Sequence, residues 1–424
     1  MGIARHIGIA VGVAVVAATL AVTPGAAADE ALPDKTALVL CGTTCPTADA
    51  AILKATMDQF ITPTHPGQTI MAVPVTAPQE SWPITGLLRL IELAVGDPHL
   101  GAPGGAAWPD QPWWKLSGLV GLTLDQSIKA GVADLEAAMT AHGNDHLVIN
   151  GYSQGAAIAN VEKARLAEQY PVGTNAPDID FVLGGDVNLP NGGLFARFPS
   201  LYIPVLDWYF NGPEPTNTQF HTDVIGRQYD GFADFPLYPL NVVADLNAVL
   251  GAAYVHTWPF AVSLPEDPTT SPAYQGTYGD TSYYFFETEN LPLFGPLRSL
   301  GVPERLIDVV EPFFRVIVEA GYDRTIKPWE PTPARLIPAI DPGKFSADLA
   351  DAVADGLANV RALISSPPSS ANLGPAKRDS RVGQPSTRPV KAAPRTTRDA
   401  PRSHVISPSH GSDHDGRGTS ARRR

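Results

Sequence analysis

Short apolar runs alternate with helical patterns between residues 36 and 364 of this chain. Residues 36–40 (TALVL) form a five-residue apolar run, the length of a buried strand. Residues 49–61 then place Ile52, Leu53, Met57, Phe60 and Ile61 at helical spacing. A second strand is expected at 68–73, and a helix at 122–139, where Leu124, Ile128, Val132, Leu135 and Met139 share one face. Residues 146–149 read as strand and 156–170 as helix, and 179–183 and 222–229 read as two further strands. A helix follows at 241–250. Strands that alternate with helices predict an α/β fold, a mostly parallel sheet with helices on both faces.

Two stretches break this rhythm. Residues 82–119 hold a cluster of leucines and then Trp108, Trp113 and Trp114 among Pro and Gly. Residues 190–215 carry Phe195, Phe198, Tyr202, Trp208, Tyr209 and Phe210. Aromatics in irregular segments either fold down as core or line an apolar groove or lid, and the Tyr-rich 274–286 poses the same choice. Amphipathic helices at 291–322, a Pro-rich run at 327–342 and a last helix at 346–364 are expected to pack at the C-terminus or to cap a site.

The ends differ from the middle. Residues 1–28 read as an export signal: Arg5 and His6, an apolar stretch over 7–22, Pro24-Gly25, and a small-residue ending at Ala28. An uncleaved anchor is the other reading of that stretch. From 365 onward Pro, Ser, Arg and Gly dominate, which predicts a disordered tail with no core. Its residues 376–424 carry a net +8, leaving −21 for the rest of a chain whose net is −13. Such a basic tail suits anionic envelope polymer or lipid headgroups, or it is simply solvated. Cys41 and Cys45, the only cysteines, can bridge if their loop brings the Cα atoms within ~7 Å. With no histidine or third cysteine beside them a metal site is not expected, nor is a cofactor or a nucleic-acid partner.

The candidate chemistry centres on Gly151-Tyr152-Ser153-Gln154-Gly155, a G-x-S-x-G between the expected strand and an alanine-rich helix. That setting makes Ser153 a nucleophile on a strained turn, with glycines where side chains would strike the neighbouring backbone. The N-terminal end of the following helix puts positive potential there. A serine hydroxyl needs a base, and the order expected on such a fold is Ser, then a carboxylate, then His. His256 fits that order, whereas His221 comes too early and the tail histidines lie in disorder. Among the aspartates between Ser153 and His256, Asp230 leads the loop after the 222–229 strand and is the expected acid, with Asp234 and Asp207 as alternatives. The oxyanion donors are expected to be the backbone N–H groups of Gln154 and Thr43.

The chain from Leu38 to Asp323 resembles the PE-PPE domain of mycobacteria, a cutinase-like serine α/β-hydrolase. The resemblance rests on LTLDQS at 122–127, GYSQG, LPNGGLFARFPSLYIP at 189–204, QYDGFADFPLYPLNVVADLNA at 228–248, YVH at 254–256 and AGYDR at 320–324. It places the family serine on Ser153 and its histidine on His256, and leaves the acid between Asp207 and the Asp230 loop. It implies esterase or lipase activity on acyl esters through an acyl-enzyme on Ser153, beside the lid or cap insertions expected from the aromatic stretches and the C-terminal helices. Relatives with an export signal include acyltransferases that build trehalose glycolipids. The N-terminal PE or PPE module is replaced here by the export signal, so independent export is expected. A third reading is a degenerate hydrolase fold that only binds envelope lipid.

Overall fold

The computed structural model describes residues 33–87, 121–144, 146–257 and 259–365. The expected export signal, Trp108, Trp113 and Trp114, and the basic tail from 366 lie outside the described residues.

Seven strands form one sheet in the order β2-β1-β3-β4-β7-β9-β8. They are β1 (Lys35–Leu40), β2 (Ile70–Pro74), β3 (Leu147–Tyr152), β4 (Ile179–Gly184), β7 (Thr222–Arg227), β8 (Tyr274–Tyr278) and β9 (Thr281–Phe286). All neighbours run parallel except β8 and β9, which form an antiparallel hairpin at one edge. The Tyr-rich segment is therefore sheet edge, not lid. Two residue pairs, β5 (Tyr202–Ile203) and β6 (Trp208–Tyr209), make a separate ribbon within the aromatic stretch.

Side chains alternate across a strand, and the two sheet faces sort accordingly. Leu38, Leu40, Leu147, Ile149, Phe181 and Leu183 face one layer, built by α2 (Leu124–Ala141) and α3 (Gln154–Gln169). Ala37, Val39, Val148, Val182 and Ile225 face the other, against α1 (Ala50–Thr56) and the π-helical turn that continues it (Met57–Ile61). The helix starts follow side-chain chemistry. Asp49 caps α1 by accepting from the Ile52 N–H. Thr123 and Gln126 close a reciprocal capping box on α2, two residues beyond the expected start. Asn241 caps α4 (Val242–Tyr254). A smaller core joins Tyr229 and Ala244 to Leu291, Phe294, Ile307, Val318 and Tyr322, so the C-terminal helices, α5 (Glu311–Glu319) among them, pack on the α4 side. The last helix, α6 (Pro342–Ser365), starts four residues ahead of expectation.

One buried polar cluster lies between α3 and the β9 end of the sheet. Lys163, fully buried, reaches the Asp280 carboxylate at 3.2 Å. Glu214 and Asp186 are also buried. Burial pushes Glu214 up to about 8, with Asp186 and Asp280 adding to the rise and Lys163 opposing it. Burial likewise raises Asp186 to about 6, against hydrogen bonds from Asn188 and Asn160. The folded state thus holds the Glu214 proton more tightly than the unfolded chain, whose value is near 4.5. Its stabilising contribution is complete below that value and is lost as pH rises through about 8. Glu214→Gln should therefore lose less thermal stability than the parent between pH 5 and pH 8.5, which a pH series of melting curves would show.

Candidate active site

β3 ends at Tyr152 and α3 begins at Gln154, so one residue makes the whole turn. That residue is Ser153, at φ 56° and ψ −117°, a region few side-chain-bearing residues occupy. The turn closes because the strand and helix touch at backbone distance. A Cβ on Gly151 would lie 2.4 Å from the Gly155 carbonyl oxygen, and one on Gly155 would lie 2.4 Å from that of Cys41. The strand runs three residues further, and the helix starts two residues earlier, than the apolar pattern indicates. Glycine and glutamine carry no apolar signal, yet the elbow needs both elements to reach the serine.

Ser153 donates its hydroxyl to Nε2 of His256 at 2.7 Å. Nδ1 of the same ring lies 2.8 Å from each oxygen of Asp230. A carboxylate only accepts, so Nδ1 carries the proton and Nε2 is free to accept one. His256 follows α4, and Asp230 follows β7, as expected. Burial alone would push the Asp230 carboxyl up. The His256 imidazole, its hydrogen bond and the N–H groups of Phe232 and Ala233 overcome this and hold it below the ordinary carboxylate value. The site thus keeps a buried negative charge where it can steady a positive imidazole.

The other two aspartates serve different ends. Asp207 sits on the turn of the β5–β6 ribbon, accepting from Thr123 Oγ1 at 2.5 Å and Tyr202 Oη at 2.8 Å. Asp234 braces the Asp230 loop. It accepts from the Tyr229 N–H at 2.8 Å, at a residue with φ 65°, and pairs with Arg324 at 2.8 Å. Arg324 also bonds Glu319 and lies 3.9 Å from the Tyr322 ring centre. The AGYDR stretch, opaque in the sequence, is the far end of this brace.

The loop after β1 supplies the third component. Cys41 and Cys45 form a disulfide with Cα atoms 5.4 Å apart. The Cys45 N–H closes the same loop on the Gly42 carbonyl. Thr43 Oγ1 donates to Gln154 Oε1 at 3.2 Å, and Gln154 Nε2 donates to the Glu80 carbonyl. The backbone N–H groups of Thr43 and Gln154 have no acceptor among the described residues, and both residues border the cavity containing Ser153.

That cavity has a volume of about 420 Å³. Its walls are apolar, with Ile52, Phe60, Leu124, Phe195, Trp208 and Phe260 prominent. The aromatic stretch divides between the two readings: Phe195 and Trp208 reach the cavity wall, Phe198 and Phe210 pack as core behind them, and Tyr202 and Tyr209 are exposed. Every described residue lining the cavity lies between 39 and 262, so the C-terminal helices pack beside it without capping it. Among the described residues no cluster of His, Cys, Asp and Glu could hold a metal ion, and no helix is long and apolar enough to cross a membrane.

Gly151→Ala should show how tightly the elbow is built. The added methyl must displace the Gly155 carbonyl. A loss of roughly 1–3 kcal/mol of stability is expected from such overpacking, visible as a lower melting temperature. A melting curve identical to the parent's would contradict the geometry.

The PE-PPE domain family model matches residues 102–323, just over half of the chain. Esterase PE16 of Mycobacterium tuberculosis (strain ATCC 25618 / H37Rv) is 45% identical over 245 residues, covering 55% of this chain and 44% of the relative. From the same strain, SL1278 acyltransferase Chp1 is 31% identical over 289 residues, 65% of this chain and 66% of its own. Diacyltrehalose acyltransferase Chp2, also from that strain, is 30% identical over 259 residues, 57% of this chain and 69% of its own. The chain thus spans less than half the length of the esterase. On the strength of the matched domain and these relatives, the chain belongs to the PE-PPE domain family.

Proposed function

We propose that this protein is a serine esterase or lipase that cleaves acyl esters of lipids through an acyl-enzyme on Ser153. The observation that carries this reading is the continuous Ser153–His256–Asp230 relay opening into an apolar cavity. The esterase relative supports it. In this mechanism His256 Nε2 takes the Ser153 proton as Oγ bonds to the acyl carbonyl carbon. Asp230 steadies the imidazolium, and the Thr43 and Gln154 N–H groups receive the oxyanion. The alcohol leaves with the proton from His256, and a second nucleophile then releases the acyl group by the reverse route. The apolar walls suit an acyl chain. Export through residues 1–28, and contact of the basic tail with anionic envelope components, complete the proposal for a lipid-processing enzyme outside the cytoplasm.

A second reading is acyl transfer to a sugar hydroxyl of a trehalose-type glycolipid, favoured by the two relatives named as acyltransferases. It shares every residue of the first half-reaction and differs only in what attacks the acyl-enzyme. Incubation with an acyl donor and trehalose or an acyltrehalose would separate the two. An acylated sugar supports transfer, and free fatty acid alone supports hydrolysis.

Ser153→Ala should reduce p-nitrophenyl ester turnover by about 10⁴-fold or more without unfolding the protein. Asp230→Asn should reduce it by about 10⁴-fold, whereas Asp207→Asn, remote in its contacts, should stay within about threefold. Turnover and fluorophosphonate labelling that survive Ser153→Ala would end the serine reading. Loss of turnover in Asp207→Asn with Asp230→Asn active would reassign the acid.

A further inference from the structure

Each of the three residues in the Ser153 relay needs something to hold it. Ser153 is fixed by the elbow, and Asp230 by the N–H groups of Phe232 and Ala233. His256 is different, because it lies beyond the end of α4 in a turn held to the helix by the Val255 and His256 N–H groups, which both donate to the Gly251 carbonyl at 2.9 Å. The carbonyls of those two residues point away from that bond and need ties of their own to fix the turn.

Two strand ends supply the ties. Tyr152, the last residue of β3, donates its hydroxyl to the His256 carbonyl at 2.5 Å. Arg227, the last residue of β7, donates through Nη1 to the adjacent Val255 carbonyl at 2.8 Å. The ring of Tyr152 also lies against the imidazole, with centroids 5.1 Å apart, and Phe232 lies against it with centroids 4.7 Å apart. The space where Tyr152 and His256 meet exists because residue 185 is glycine. A Cβ there, at φ 56°, would lie 2.8 Å from His256 Cε1 and 2.9 Å from Tyr152 Cζ.

From this geometry we infer that Tyr152 is a positioning residue, whose hydroxyl fixes the His256 backbone so that Nε2 faces Ser153. The inference rests on the serine-hydrolase reading above. It assigns a task to the second residue of the G-x-S-x-G, a position the motif leaves open. Tyr152 borders the cavity beside Ser153, but its hydroxyl is spent on the His256 carbonyl and takes no part in the proton transfer, so its effect on the chemistry runs through His256. Its hydroxyl remains a donor across the working pH range, because burial, with the Asp230 charge adding to it, holds its pKa well above the ordinary value.

Tyr152→Phe is the test, since it keeps the ring and removes only the hydroxyl. Wild type, Tyr152→Phe and Gly185→Ala would be compared as full chains with p-nitrophenyl esters, with melting curves run in parallel. A misplaced imidazole slows the proton transfers without altering the acyl cavity. For Tyr152→Phe we expect kcat to fall about tenfold or more, with KM within about twofold and the protein still folded at the assay temperature. Gly185→Ala, whose methyl intrudes on the same contact from the cavity wall, should lower kcat as well. Unchanged kcat in Tyr152→Phe overturns the inference. So does a loss of activity that only tracks partial unfolding or a raised KM. If the wild type neither turns over esters nor labels with a fluorophosphonate, the hydrolase reading fails, and the clamp is then read by NMR of the labelled imidazole. A His256 ring signal, assigned with His256→Gln, that shifts or broadens in Tyr152→Phe supports the clamp, and an unmoved signal overturns it.

Discussion

A serine backbone at φ 56° costs on the order of 1–3 kcal/mol against an ordinary conformation, and most of the site depends on holding it there. The turn persists because β3 and α3 approach so closely that neither flanking position tolerates a side chain. That approach in turn needs β1 beside β3, since the Leu40 and Cys41 carbonyls form the surface on which residue 155 rests. Once the elbow is closed, Gln154 at the start of α3 and Thr43 in the loop after β1 both border the cavity. In the proposed reaction these two segments supply the oxyanion donors. Geometry of this kind is a by-product of close packing in the centre of the sheet, where distortion is hardest to relax.

The periphery works differently. Asp230 and His256 follow β7 and α4, on connections that could adopt many shapes. Each is fixed by local hydrogen bonds: the Asp230 loop by Asp234, Tyr229 and Arg324, and the histidine segment by contacts to strand ends. The pairing is also electrostatic. A carboxylate with almost no exposure keeps its charge because the imidazole and two N–H groups face it. Removing any of these shifts the balance toward a neutral acid, which could no longer steady a charged ring.

The parts legible in the sequence are those written in side-chain pattern. The side-chain pattern located β1, β2, β3, β4 and β7, because strands buried in a parallel sheet are rich in apolar residues, whereas β9, parallel to β7, lay hidden in the Tyr-rich segment. The G-x-S-x-G, the order of His256 after Ser153 and the placing of Asp230 after a strand pointed to three residues that the structure joins by hydrogen bonds. The boundaries near the elbow were less legible, since Gly151, Tyr152 and Gln154 carry polar or neutral side chains while sitting in regular structure. The edge hairpin was left open for a physical reason as well: its tyrosines combine apolar area with hydroxyls and suit either a groove or a half-covered strand. The braces, Asp234 with Arg324 and Tyr152 with the His256 carbonyl, join residues about 90 and 104 positions apart. No local pattern encodes such pairs.

In the proposed reaction, this division between a rigid centre and braced loops also decides where specificity can reside. Ser153 and Gln154 sit at the elbow, where the fold leaves little choice of position, and Asp230, His256 and Thr43 sit on turns and loops braced by hydrogen bonds and the disulfide. The cavity walls come from other places: the helix after β1 through Ile52, the β5–β6 ribbon through Trp208, and the segment after His256 through Phe260. These can change without disturbing the elbow. An acyl chain and a leaving group would therefore be selected by segments that contribute nothing to the chemistry of bond cleavage. Hydrolysis and transfer then differ by whether water or an alcohol reaches the Ser153 ester past those same walls, and the residues that form the acyl-enzyme are common to both.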